Sequence, residues 1–214
     1  MKTIIRVENA TKKFKNIKVF SDLNLEIEKG KSYGFVGYNG CGKSVLFKCI
    51  CGLAKLNKGA IYYQDKLIGK EQDFISDAGV VIEAPEFLND LSGFKNLKVI
   101  ANIKKLISDH DINEALKLLG LFEYRDVKVG KYSLGMKQKL RLVQALMEKP
   151  QILILDEPMN GLDKSSVEKV RGILKKYIDE GGTLLLTSHN RDDIDILCEK
   201  VYEFDDQQLK LEKG

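Results

Sequence analysis

Apolar and polar residues alternate up to about Gly30, in IIRVENATKKF and again in VFSDLNLEIEKG. A period of two with one wet face predicts antiparallel strands, which GAIYYQDKLI is expected to join. KSYGFVG is a short apolar strand that runs into a glycine-rich turn, and KSVLFKCICGL then changes to helical spacing. AGVVIE, QILILDEP and GTLLLTSH are further short apolar runs, predicted as buried strands. From Ala84 to Pro150 the spacing is helical, in LSGFKNLKVIANIKKL, DINEALKLLGL and LGMKQKLRLVQALMEK. SSVEKVRGILKKYIDEGG reads as an amphipathic helix with a glycine stop, and DDIDILCEK as helical. Short apolar strands alternating with helices imply a parallel α/β core, with the middle helical stretch inserted into it.

Composition narrows the class. The 43% hydrophobic and 31% charged content of the 214 residues is that of a globular protein. No apolar run approaches the roughly 20 residues that span a bilayer. MKTIIRVENATKKF lacks a signal-peptide core, so a cytosolic chain is expected. The net charge of +4 is compatible with an anionic partner or membrane surface, and a solvated lysine-rich surface is the plainer account; no nucleic-acid partner is expected. Cys41, Cys49, Cys51 and Cys198 form no CxxC pair and suit no common zinc site; reduced, buried thiols are expected. Two histidines are too few for a histidine-based metal centre.

Candidate chemistry begins at residues 37–44, GYNGCGKS, which fit G-x-x-x-x-G-K-[ST] between a predicted strand and a predicted helix. Glycines let backbone N–H groups close around phosphate oxygens. Lys43 brings charge to the β- and γ-phosphates, and the Ser44 hydroxyl can ligate Mg²⁺. QILILDEP places Asp156 and Glu157 at the C-terminal end of a buried strand, where α/β sheets bind ligands. Asp156 can hold the metal shell and Glu157 can orient water; two acids meeting solvent at a strand end is the plainer account. His189 ends LLLTSH and is open to two readings, structural or in contact with phosphate or water. KYSLGMKQKL starts a helix with Ser133 as its cap, and such a start can also bind an anion.

Taken in order, these strings resemble the nucleotide-binding subunits of ATP-binding cassette (ABC) transporters over nearly the whole chain. GYNGCGKS resembles Walker A, which implies nucleotide contacts from Gly37, Tyr38, Asn39, Gly40, Cys41, Gly42, Lys43, Ser44 and Val45. ILILDEP resembles Walker B, with Glu157 as catalytic glutamate and Asp156 toward Mg²⁺. NGLD resembles the D-loop, containing Asp163, and His189 the switch histidine; Phe14 lies where the family stacks an aromatic on adenine. YSLGM stands where the family has LSGGQ. The resemblance implies that Ser133, Leu134, Gly135 and Met136 face the γ-phosphate held by a second cassette. Leu134 and Met136 depart from the usual Gly and Gln. In VVIEAPEF, Glu83 stands where the family has glutamine, so it is expected either to add charge beside the Mg²⁺ or to cap a strand end.

The implied fold class is α/β, a P-loop NTPase of ABC type: a mixed-sheet core, an antiparallel β subdomain and an inserted helical subdomain. One domain is expected over 1–214, with the RecA-like core and β subdomain at about 1–83 and 150–214 and the helical subdomain at about 84–149. IEAP and YSLGMKQ resemble the bacitracin-resistance and lantibiotic-immunity exporter branch. That branch implies an ATPase using ATP and Mg²⁺, a separate membrane permease, a second cassette (a copy or a sibling), and a position on the inner face of the membrane. Phe87, Leu88 and Phe94 would either grip the permease or join the core. The chain ends ten residues after Phe204, and no regulatory tail is expected. The rivals are a soluble non-transport cassette, for example of the iron–sulfur assembly type, and a phosphate-loop kinase, in which NGLD and YSLGM have no role.

Overall fold

The computed structural model describes residues 2–83 and 86–214; the Ala84 and Pro85 of VVIEAPEF lie outside the described residues. The chain opens with β1 (Thr3–Phe14), β2 (Ile17–Glu28), β3 (Ser32–Val36) and α1 (Lys43–Ile50). β4 (Lys58–Tyr63), β5 (Lys66–Leu67) and β6 (Ala78–Val81) follow, then the helices α2 (Gly93–Lys104), α3 (Asp109–Leu118) and α4 (Leu134–Leu146). The remainder alternates: β7 (Ile152–Asp156), α5 (Lys164–Asp179), β8 (Thr183–Thr187), α6 (Arg191–Leu197), β9 (Lys200–Asp205) and β10 (Gln208–Lys213).

Among the described residues the strands make two sheets, β2–β1–β4–β5 and β10–β9–β3–β8–β7–β6. The first is antiparallel, as the alternation in β1 and β2 predicts. The second is parallel from β9 through β6. Its strands β7 and β8 read ILILD and TLLLT because helices and the first sheet cover both of their faces.

Side-chain alternation divides these strands between two cores. Leu153, Leu155, Leu184 and Leu186 pack with α2 to α6 on one face. Ile152, Ile154 and Leu185 pack with α1 and the antiparallel sheet on the other. The strand that ends in the two acids is therefore gripped from both sides. β6 approaches α4 so closely that a Cβ on Gly79 would lie 2.0 Å from the Ala145 carbonyl oxygen. Only glycine permits that contact.

One feature differs from expectation. DDIDILCEK is helical only to Leu197, and Lys200 already begins β9, whose Val201 and Phe204 enter the two cores. The residues after Phe204 turn back as β10, antiparallel to β9. KVYEFD is too short and too charged for its alternation to be distinctive. Of the apolar trio after Glu83, Phe87 and Phe94 pack against the helical core, while Leu88 is exposed.

Candidate functional site

GYNGCGKS links β3 to α1. Gly37 and Gly42 have φ of +141° and +123°, a conformation that favours glycine. A Cβ on Gly37 would lie 2.9 Å from Cys41 Sγ, and one on Gly42 2.8 Å from Val19 Cγ1, so both sites also lack room. No side chain caps α1 at Gly42, which leaves its first N–H groups to an anion. Lys43 is buried, and its Nζ donates to the carbonyls of Gly37 at 2.8 Å and Tyr38 at 3.2 Å. The ammonium is thereby held over its own loop.

At the end of β7, Asp156 and Glu157 join Asn39, Gly40, Gly42, Lys43, Ser44, Val45 and His189 around a cavity of about 200 Å³. Glu157 Oε2 accepts the His189 backbone N–H at 3.3 Å, and its Oε1 lies 3.2 Å from His189 Nε2. The latter contact lacks hydrogen-bond alignment and is ionic when the imidazole is protonated. Burial pushes the Glu157 carboxyl above its ordinary value, and the charge of His189 opposes that shift. A larger cavity of about 470 Å³, lined among others by Cys49, Ile61 and Phe74, contains none of the residues read from the motifs.

The remaining motif residues lie outside the smaller cavity's lining. Tyr38 is exposed and Cys41 buried. Phe14 is half exposed, with Lys12 Nζ 4.6 Å from its ring centroid. Glu83 forms an ion pair with Lys48 of α1, and its φ is +57°. Ser133 caps α4 by accepting the Met136 N–H at 3.2 Å. A Cβ on Gly135 would lie 3.2 Å from the Gly161 carbonyl oxygen, and one on Gly161 3.2 Å from Leu134 Cδ2. The SLGM and NGLD turns thus pack together within one chain. Asp163 caps α5, accepting from Ser166 N at 2.9 Å and Ser165 Oγ at 2.6 Å; these bonds hold its carboxyl well below the usual range.

A family model described as ABC transporter matches residues 20–160. The chain belongs to the ABC transporter family. It is similar to the uncharacterised ABC transporter ATP-binding protein YybJ of Bacillus subtilis, 39% identical over 97% of this chain and 95% of YybJ. It is also similar to the bacitracin transport ATP-binding protein BcrA of Enterococcus faecalis, 35% identical over 94% of this chain and 66% of BcrA. Among solved structures, the dimeric bacterial ABC transporter cassette MJ0796 superposes with a TM-score of 0.89 over 98% of each chain at 24% identity, a likeness of fold. As an ABC ATPase domain the chain binds nucleotide. ATP-binding subunits of this family work with transmembrane permeases and pair as dimers. Among the described residues, no helix of this cassette is long and apolar enough to cross a membrane.

Three side chains in this ABC domain make contacts that escape motif reading. The Thr187 hydroxyl donates to Asp156 Oδ1 at 2.6 Å and accepts the Glu157 N–H at 2.9 Å. Gln138 of α4, also buried, donates to the Pro158 carbonyl at 2.8 Å, just beyond the acids. Asp193 of α6 accepts from Arg171 Nε at 2.8 Å and Nη2 at 2.6 Å, and from Ser188 Oγ at 2.6 Å. That last network fixes the residue before His189. The one sequence signal for Thr187 was a polar residue closing the three-leucine run of β8.

The Arg171 and Asp193 side chains are 11% and 3% exposed. Asp193→Ala removes one carboxylate from a guanidinium that keeps Glu168 at 2.8 Å, and a loss of about 1.5–3 kcal/mol of unfolding free energy is expected. Denaturant titration checks this; a loss below about 1 kcal/mol would mean that water takes over the vacated contact.

Proposed function

We propose that this chain is the ATP-hydrolysing subunit of a membrane transporter, an exporter of an antimicrobial peptide or a related amphiphile. The observation that carries the hydrolytic part is the convergence of Lys43, Ser44, Asp156, Glu157 and His189 on one cavity. The likeness to BcrA, with the IEAP and YSLGMKQ strings, supports the cargo class. One cassette domain spans 1–214, with the sheets at about 1–83 and 150–214 and a helical subdomain at about 84–149.

In this reading the residues of GYNGCGKS cradle the phosphates and Lys43 holds the β- and γ-phosphate oxygens. Phe14, whose ring is half exposed, stacks on the adenine. Glu157 accepts a proton from the attacking water, and His189 steadies the γ-phosphate from the opposite chain segment. Positioning and charge supply most of the rate. Ser133, Leu134, Gly135 and Met136 lie outside their own cavity lining, which suits a role in the site of a second cassette, a copy or a sibling. There the capped α4 N-terminus meets the γ-phosphate.

Mg²⁺ fits the donors present. Ser44 and Asp156 offer hard oxygen ligands on one cavity. Among the described residues no group of three or more His, Cys, Asp or Glu could hold a metal ion. Mg²⁺ suits such a site because it takes one or two carboxylates, keeps waters and shares phosphate oxygens. When bound it would supply charge neutralisation at those oxygens. Glu83, read from the sequence as a further magnesium contact, lies outside that cavity's lining and pairs with Lys48, so this reading leaves it out of the set.

The cassette works on the cytoplasmic face of a membrane, docked on a permease. Expression of a tagged copy in its native cell, mild-detergent extraction and identification of its partners test this. A multi-span protein in stoichiometric amount is the expected result. Soluble partners alone would transfer the chain to the non-transport class.

A further inference from the structure

Thr187 ends β8 directly beside Asp156 in the parallel register and is fully buried. A hydroxyl has one proton to give and lone pairs to receive with. Here the proton goes to Asp156 Oδ1 at 2.6 Å, and a lone pair takes the Glu157 N–H at 2.9 Å. One side chain thus fixes the carboxylate of residue 156 and the backbone of residue 157. The second function matters because Glu157 has a φ of +48°, which a non-glycine residue keeps only when its surroundings hold it. With Oδ1 engaged, the carboxylate cannot rotate freely about its bond. Asp156 itself lines the cavity with Ser44 and Lys43.

We propose that Thr187 is a positioning residue for both acids, aiming Asp156 at the metal–nucleotide and holding Glu157 in its left-handed backbone turn. This rests on the assignment of Asp156 as a magnesium ligand. Outer partners of metal-binding carboxylates set ligand orientation, and losing one typically costs roughly 10–100-fold in metal affinity. Valine keeps the shape of threonine and removes both hydrogen bonds, leaving the Glu157 N–H buried without a partner.

The test titrates Mg²⁺ against the purified subunit with a fluorescent, non-hydrolysable ATP analogue, so that no turnover enters the reading. Thr187→Val is expected to bind the analogue without metal as the wild type does. Its half-saturating Mg²⁺ concentration should rise roughly 10-fold or more, and Thr187→Ser should restore it to within about 3-fold. Circular dichroism verifies folding, and Thr187→Ala serves as the variant if valine prevents it. Unchanged Mg²⁺ dependence in a folded variant lacking the hydroxyl overturns the proposal, even if hydrolysis falls. A serine variant as defective as valine overturns it too, since packing of the methyl would then be the cause. A wild type whose analogue binding ignores Mg²⁺ would instead sink the assignment of Asp156, and this proposal with it.

Discussion

Glu157→Gln is expected to bind ATP as tightly as the wild type and to hydrolyse it at least about 100-fold more slowly. Glutamine has the size of glutamate and leaves the cavity's shape intact. It cannot take a proton from water. Burial makes this carboxyl a better proton acceptor than an exposed glutamate, and that gain vanishes with the charge. The neighbouring His189 keeps its backbone N–H partner, because the amide oxygen can accept in place of Oε2. The loss should therefore fall on turnover and not on nucleotide affinity. Single-turnover kinetics beside equilibrium nucleotide binding separate the two. Hydrolysis near the wild-type rate would remove Glu157 from the chemistry.

Ser133→Arg is expected to reduce hydrolysis to background while nucleotide affinity of the isolated subunit stays unchanged. The substitution acts at a distance from the subunit's own cavity, whose lining does not include Ser133. It removes the hydroxyl that accepts the Met136 N–H and places a bulky cation at the positive end of α4. A phosphate held by another cassette would then meet arginine instead of free N–H groups. Ser133→Thr retains the cap and should retain activity. Full activity of the arginine variant would mean that the SLGM turn faces no phosphate.

What the sequence disclosed was local. Gly37 to Ser44 is a contiguous loop whose glycines answer a backbone need, so its spacing is visible without a fold. β7 and β8 are apolar on both faces, and their period betrays burial. What stayed hidden depends on residues distant in sequence. Thr187 meets the acids across 30 positions, Arg171 meets Asp193 across 22, and Gln138 meets Pro158 across 20. The partner of Glu83 is Lys48, 35 positions away, so its charge pattern gave no notice that the carboxylate was engaged. Gly79 looked like an ordinary strand residue, because only the approach of Ala145 makes its missing side chain necessary.

That approach also gives α4 a fulcrum. Ala145 packs directly on Gly79 of β6, and Ser133 lies twelve residues away along the helix, about 18 Å at the α-helical rise. A tilt of about 5° around that end would swing the cap by about 1.6 Å over that length, enough to make or break contact with a phosphate. Gln138 sits part-way along the lever and holds the Pro158 carbonyl, so the same swing tugs the turn that follows Glu157. In the proposed reading, the phosphate grip offered to a second cassette and the seat of the base in its own would be geared to a single rod.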